Sequence, residues 1–433
     1  MRGASDSGRP PAPAPAIDLS KRDLTLDLAR VVCVVLVVVI HLLMVGVGAD
    51  SSGALTISRP LEQQPWFAGA TWVGQIMPLF FVVGGFASLT AWRSLIRRGG
   101  SASDYVRNRI LRLAQPALPL FVFYVVVLGA ATVIGVDPSL LDSVAAGAGF
   151  PLWFLAAYAL CQAFVPLFAG FHARAPRATL LALLGGVIFV DAIRYGTGIT
   201  TFGLVNLFFV WLLVQQIGFW YADGWFAARS PLQLVGIAAL SYVSLVPLTT
   251  LGPYSSDMLA NLNPPTLPLV ALALGQACVL RLLRPALARL MKTRAARAVV
   301  FLFGSRLMTI YLWHLPIIIA LAGAALLVPG ASPAPSSAAW WLSRPLFFIA
   351  VLLLLFGLSF LVARWEAPRE IGPTPPTAVV AVCAALAFIP PFAVLEWFLD
   401  LKLALLGAAL LFVTVMALGR WPGARKALPA PLA

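Results

Sequence analysis

The stretch DLARVVCVVLVVVIHLL, residues 27–43, sets Arg30 and His41 into an otherwise apolar run. The two are eleven residues apart, which at about 100° per residue is roughly three helical turns, so both side chains share one face with Cα atoms about 16 Å apart along the axis. They cannot touch, but they can face one cavity from two depths. An ionisable group inside an apolar span is costly to desolvate and points to function. A buried imidazole favours its neutral form, which is the form a general base requires. A histidine hydrogen-bonded between helices is the structural alternative.

Three further groups could do chemistry. His314 lies in YLWHLP (311–316), between Tyr311 and Trp313 on one side and Pro316 on the other. That setting fits a kinked or interfacial helix segment, so structural and catalytic roles both stay open. Arg109 and Arg112, in RNRILRLAQP (107–116), are three apart and therefore neighbours on one helix face. Such a pair can grip phosphates with planar, bidentate hydrogen bonds; as topology anchors, arginines need no such spacing. Gly84 and Gly85, in FFVVGGF (80–86), would let another helix approach closely. His172 falls in a basic loop and carries no expected role.

The elements that must position these residues are membrane helices. The 433-residue chain is 61% hydrophobic and 11% charged, against about 25% charged in ordinary soluble domains. Apolar windows of helical length fall near 28–48, 69–92, 113–135, 152–171, 178–193, 203–221, 231–250, 265–283, 299–328, 345–363, 377–398 and 403–419. These twelve spans predict an all-α polytopic bundle in the lipid bilayer. With a cytoplasmic N-terminus, the outer segments hold only Arg59, Arg194, Arg344 and Lys402 of the 30 basic residues, Arg306 falls in the ninth span, and the rest lie inside. Losing one middle span would scramble that partition, so the count and the orientation support each other and both termini are expected in the cytoplasm. The net charge of +14 is thereby a topology signal; there is no basic stripe with interleaved aromatics, and no nucleic-acid partner is expected. Cys33, Cys161, Cys278 and Cys383 sit apart with no C-x-x-C pair, which suggests neither a metal site nor a disulfide framework. Residues 1–21, rich in Pro and Ala, are expected to be a disordered tail, and 420–433 a basic cytoplasmic tail.

In this order the motifs resemble the acyltransferase-3 family. DLARVVCVVLVVVIH resembles its opening D-x-x-R followed by His, FFVVGGF its F-F-x-x-S-G-F, RNRILRLAQP its R-x-x-R-x-x-x-P, PLWFL (151–155) its W-F-L, and YLWHLP its late Y-L-x-H-x-P. Gly84 stands where the family usually has Ser, and Leu307 and Met308 replace a Ser-Tyr pair. The resemblance covers about 22–365, leaving 366–419 as an added C-terminal pair of spans beyond a ten-helix core. It implies a bacterial plasma-membrane enzyme moving an acyl group, with acetyl expected, from cytoplasmic acyl-CoA to a hydroxyl or amine of a carbohydrate or lipid-linked acceptor. On that reading His41 is the general base, Arg30, Arg109 and Arg112 meet the CoA phosphates, Asp27 orients Arg30 or caps the helix, and Trp153 lines the pocket; no metal is implied. A secondary transporter or flippase is the competing class, marked by broken helices in corresponding positions of two halves.

Overall fold

Several helix starts are written as side-chain caps. The Asp23 carboxylate accepts from the Thr25 amide at 3.1 Å, Ser101 and Asp104 form a capping box, Ser230 and Gln233 form another, and Thr293 accepts from the Ala296 amide at 3.2 Å. Each satisfies amides that the first helical turn leaves without partners. The computed structural model describes residues 23–49, 55–366 and 372–419. The two expected tails, 1–21 and 420–433, lie outside them.

In chain order the helices are α1 (Leu24–Met44), α2 (Phe67–Gly74), α3 (Met77–Arg97), α4 (Ala102–Ile134), α5 (Pro138–Gly149), α6 (Leu152–Arg174), α7 (Pro176–Thr197), α8 (Asn206–Ala222), α9 (Pro231–Thr250), α10 (Leu267–Leu290), α11 (Arg294–Gly304), α12 (Leu307–Leu326), α13 (Ala338–Glu366), α14 (Thr377–Trp397) and α15 (Leu401–Gly419). Among the described residues, twelve helical segments are long and apolar enough to cross a membrane. They correspond one for one to the windows read from the sequence, the C-terminal pair included.

Three details differ from the sequence reading. The second span is broken, α2 giving way to α3 at Gln75–Ile76, and the fourth is preceded by a helix outside the windows, α5, which meets α6 at Phe150–Pro151. The ninth does not run from 299. A separate short helix, α11, ends at Gly304, and Arg306 stands at the start of α12. There its guanidinium donates to the Ser359 hydroxyl at 2.5 Å and lies over the Phe360 ring. The ninth span therefore begins beside this cation, at Leu307. The outer loop after α1 also forms an antiparallel hairpin, β1 (Gly46–Ala49) with β2 (Leu55–Ser58), in the register Gly46↔Ser58. The helix-length windows pass over strands this short.

Packing in a bilayer favours small residues where helix backbones meet, and α3 crosses α8 in this way. A Cβ on Gly85 would lie 2.4 Å from the Gln215 carbonyl oxygen, and one on Gly218 would lie 2.1 Å from that of Val82. Gly84 faces elsewhere, where a Cβ would meet only the Tyr158 ring at 3.4 Å. Gly218→Ala is therefore expected to destabilise the protein by about 2 kcal/mol or more through overpacking, while Gly84→Ser is tolerated. Thermal unfolding of the detergent-solubilised variants checks this; equal midpoints would refute the backbone contact.

The C-terminal pair is joined to the bundle. α15 lies along α4, and α14 lies along both α6 and α15. Arg107 of α4, 3% exposed, donates to the carbonyls of Leu418 at 2.8 Å and Gly372 at 2.6 Å. The Thr374 hydroxyl bonds the Asp104 carboxylate on the same side.

Candidate functional site

His41 sits in the last turn of α1, near its outer end, and His314 one turn into the buried part of α12. The two imidazoles meet, His41 Nδ1 to His314 Nε2 at 2.7 Å. Their planes are 16° apart and their centroids 4.9 Å apart. The bond plus two ring radii accounts for that separation, so the rings join edge to edge.

The tautomers follow from the far end of the chain of bonds. His314 Nδ1 lies 2.5 Å from the Tyr311 carbonyl oxygen. A carbonyl only accepts, so this nitrogen carries a proton. In a neutral imidazole the other nitrogen then accepts, so His314 Nε2 receives the bond and His41 Nδ1 supplies the hydrogen. His41 Nε2 is left with its lone pair. This is the arrangement in which a second residue fixes the tautomer of a catalytic histidine.

His41 borders a cavity of about 40 Å³ that is also lined by Trp153, Tyr311, Phe150 and residues of the α2–α3 break. Irregular backbone at membrane depth is tolerated only where it is enclosed by protein or lines a cavity, and both breaks meet that condition. The Gln75 carbonyl accepts from Gln276 Nε2 at 2.7 Å, and the Gln75 side-chain oxygen accepts from the Met77 amide at 3.2 Å. At the other break, the Tyr311 hydroxyl donates to the Pro151 carbonyl at 2.6 Å. Leu259 and Leu262, from the loop between α9 and α10, complete the wall. On the orientation set by the basic residues, this cavity is on the outer side.

The arginines gather at the opposite end of α1. Arg112 is within Coulombic range of Arg109 and Arg30, and both Arg109 and Arg112 are in range of Tyr158. The Arg109 guanidinium lies 5.2 Å from the Tyr105 ring centroid, and Arg30 Nε is buried with no protein acceptor among the described residues. The cavity at His41 does not reach these three side chains. A run of ring contacts links the two regions: Tyr158 stacks on Phe154 at 5.4 Å, and Phe154 leans on Tyr311 at 4.6 Å. Trp153 is in the cavity wall and stacks on Trp211. Gly84 abuts Tyr158, whereas Gly85 belongs to the α3–α8 crossing. Asp27 is in the first turn of α1, but the cap is Asp23, four residues earlier, because the helix begins at Leu24.

His172 is not in a loop. α6 runs one turn past the apolar window, to Arg174, and buries the ring against α8. Its Nε2 lies 3.0 Å from Asp223 Oδ2 and its Nδ1 2.9 Å from the Gln216 amide oxygen. Arg93 holds the other Asp223 oxygen at 2.5 Å. Partial burial opposes charge on Asp223, but the bonds from Arg93 and His172 outweigh it and hold its carboxyl below the ordinary range. This buried histidine–carboxylate pair is of the kind that can move a proton. The signal for it was the near-apolar AGFHA context rather than any motif.

No curated protein and no solved structure matches the chain. A family model described as an acyltransferase domain matches residues 23–364, which include α1 to α12, the lining of the His41 cavity, the inner-side arginines and all but the last two residues of α13. The chain is thus a polytopic membrane protein that belongs to the acyltransferase-3 family, as expected of a bacterial plasma-membrane enzyme.

Proposed function

We propose that the protein transfers an acyl group, with acetyl favoured by the narrow space beside His41, from cytoplasmic acyl-CoA to a hydroxyl or amine of a carbohydrate or lipid-linked acceptor. The observation that carries this reading is the chain His41–His314–Tyr311 carbonyl, which leaves the His41 Nε2 lone pair on a residue that borders a cavity.

In the step this supports, the acceptor oxygen or nitrogen attacks the thioester carbonyl carbon while His41 Nε2 takes its proton. The tetrahedral adduct then collapses, the carbon–sulfur bond breaks, and the CoA sulfur leaves with the proton His41 returns. His314 keeps Nδ1–H of His41 engaged throughout and steadies the imidazolium while it lasts. At the inner end, Arg30, Arg109 and Arg112 supply donors suited to the phosphates of CoA, and the free Nε of Arg30 fits that use. The two breaks that border the cavity both fall before residue 152, in one half of the chain. Paired halves of a transporter would place them otherwise.

The test is incubation of purified protein in nanodiscs with labelled acetyl-CoA, following free CoA. Protein-dependent release, raised by added acceptor, is expected; no release above background would end the reading. Arg109→Gln with Arg112→Gln is expected to raise the KM for acyl-CoA about a hundredfold or more, since each lost charge-assisted bond weakens binding by about 1.5–3 kcal/mol. An unchanged KM would remove these residues from the donor site.

A further inference from the structure

Phe398, between α14 and α15, has φ 61° and ψ 164°. A non-glycine residue held there is strained, and such strain persists only where the surroundings enforce it. Its own side chain is 62% exposed and so does not hold the turn. The next residue does: Leu399 is 2% exposed and seats against Gly149. A Cβ on Gly149 would lie 2.7 Å from Leu399 Cβ and 2.9 Å from Val394 Cγ1, so only glycine leaves room for this peg.

Gly149 is the last residue of α5, and the residue after it is Phe150. Phe150 lines the cavity and meets the His41 ring edge to face, with centroids 6.1 Å apart at 89°. Its neighbours are fixed on both sides. Tyr124 donates to the Ala148 carbonyl at 2.9 Å and Tyr311 to that of Pro151 at 2.6 Å. The C-terminal pair, which lies beyond the residues the family model matches, thus bears directly on the wall over the imidazole. At about 40 Å³ the space beside His41 takes roughly two heavy atoms, on the scale where a cavity of about 150 Å³ takes the six of benzene. Among acyl groups that favours the smallest, acetyl.

We propose that Phe150, held over His41 by Leu399 seated at Gly149, sets the size of the acyl group and restricts the site to two-carbon donors. The proposal rests on the acyl-transfer reading. Phe150 acts as the wall, and Leu399 is a positioning residue that acts through it.

The experiment compares kcat/KM for acetyl-, propionyl-, butyryl- and hexanoyl-CoA in the full-length protein, for wild type, Phe150→Ala and Leu399→Ala, by CoA release in nanodiscs. A methylene too many in a fixed pocket lowers kcat/KM by about 10–200-fold. Wild type is expected to fall by at least about tenfold per added methylene on that scale. Phe150→Ala should raise the butyryl-to-acetyl ratio by about tenfold or more, and Leu399→Ala should move it in the same direction by less. An unaltered ratio in Phe150→Ala, or a parallel loss for all four donors, overturns the proposal. A change in Phe150→Ala with none in Leu399→Ala overturns the part given to the C-terminal pair. A wild type inert towards every acyl-CoA removes the acyl-transfer reading and this proposal together; an active wild type with unaltered ratios removes this proposal alone.

Discussion

His41→Ala is expected to lower the rate of acyl transfer by about 10²–10⁴-fold, the range a positioned general base contributes, while the KM for acyl-CoA changes little. The two effects separate because the residues proposed for them are separate. The cationic group of Arg30, Arg109 and Arg112 is at the inner end of α1, and the imidazole is in the last turn at the outer end. The proton acceptor is one defined nitrogen, since His41 Nδ1 is committed to His314 at 2.7 Å. Alanine removes that nitrogen and leaves His314 Nε2 without its donor, so the variant must first be shown to elute as folded protein with an unaltered thermal midpoint. His41→Gln is the companion: its amide can still donate to His314 but has no basic nitrogen, and its rate should fall as far as that of alanine. Full activity in either variant would remove His41 from the mechanism.

How much of this was readable in advance depends on which interactions are local. The spans were, because length and mean hydropathy of a window need no knowledge of neighbours. His41 was also legible, because an ionisable side chain inside such a window is conspicuous whatever it touches. Its partner was not: His314 is 273 residues away, and nothing in YLWHLP says which helix that ring will face. The break at Gln75–Ile76 was hidden by the same averaging that reveals spans, since both flanks are apolar, and α5 was passed over because it falls between the third and fourth windows. The arginines show a subtler limit. In RNRILR the spacing pairs Arg109 with Arg112, as it should, but leaves Arg107 looking like one more topology anchor. A step of two residues turns the helix by about 200°, so Arg107 faces away from Arg109 and is buried against the C-terminal pair, bonded to the Leu418 and Gly372 carbonyls. His172 was misjudged because the apolar window ended at residue 171 while the helix did not.

His314 carries the second large effect, and its variants separate a chemical role from a packing one. The Tyr311 carbonyl fixes the proton on His314 Nδ1 at 2.5 Å, which makes Nε2 an acceptor and in turn holds the His41 proton on Nδ1. Remove the acceptor and His41 is free to place its proton on the nitrogen that must be bare. In a triad the comparable loss of tautomer control lowers kcat by about 10⁴; here His314→Phe, which fills similar space without an acceptor, is expected to lower kcat by at least about 10² with acyl-CoA KM unchanged. His314→Gln keeps an oxygen able to accept from His41 Nδ1 and should recover a measurable part of that loss. Because His314 is fully buried, a purely structural role makes the opposite forecast: the apolar ring would be the better tolerated and the amide the worse. The order of the two variants in kcat, read alongside their unfolding midpoints, therefore decides the matter, and phenylalanine outperforming glutamine would sink the proton chain.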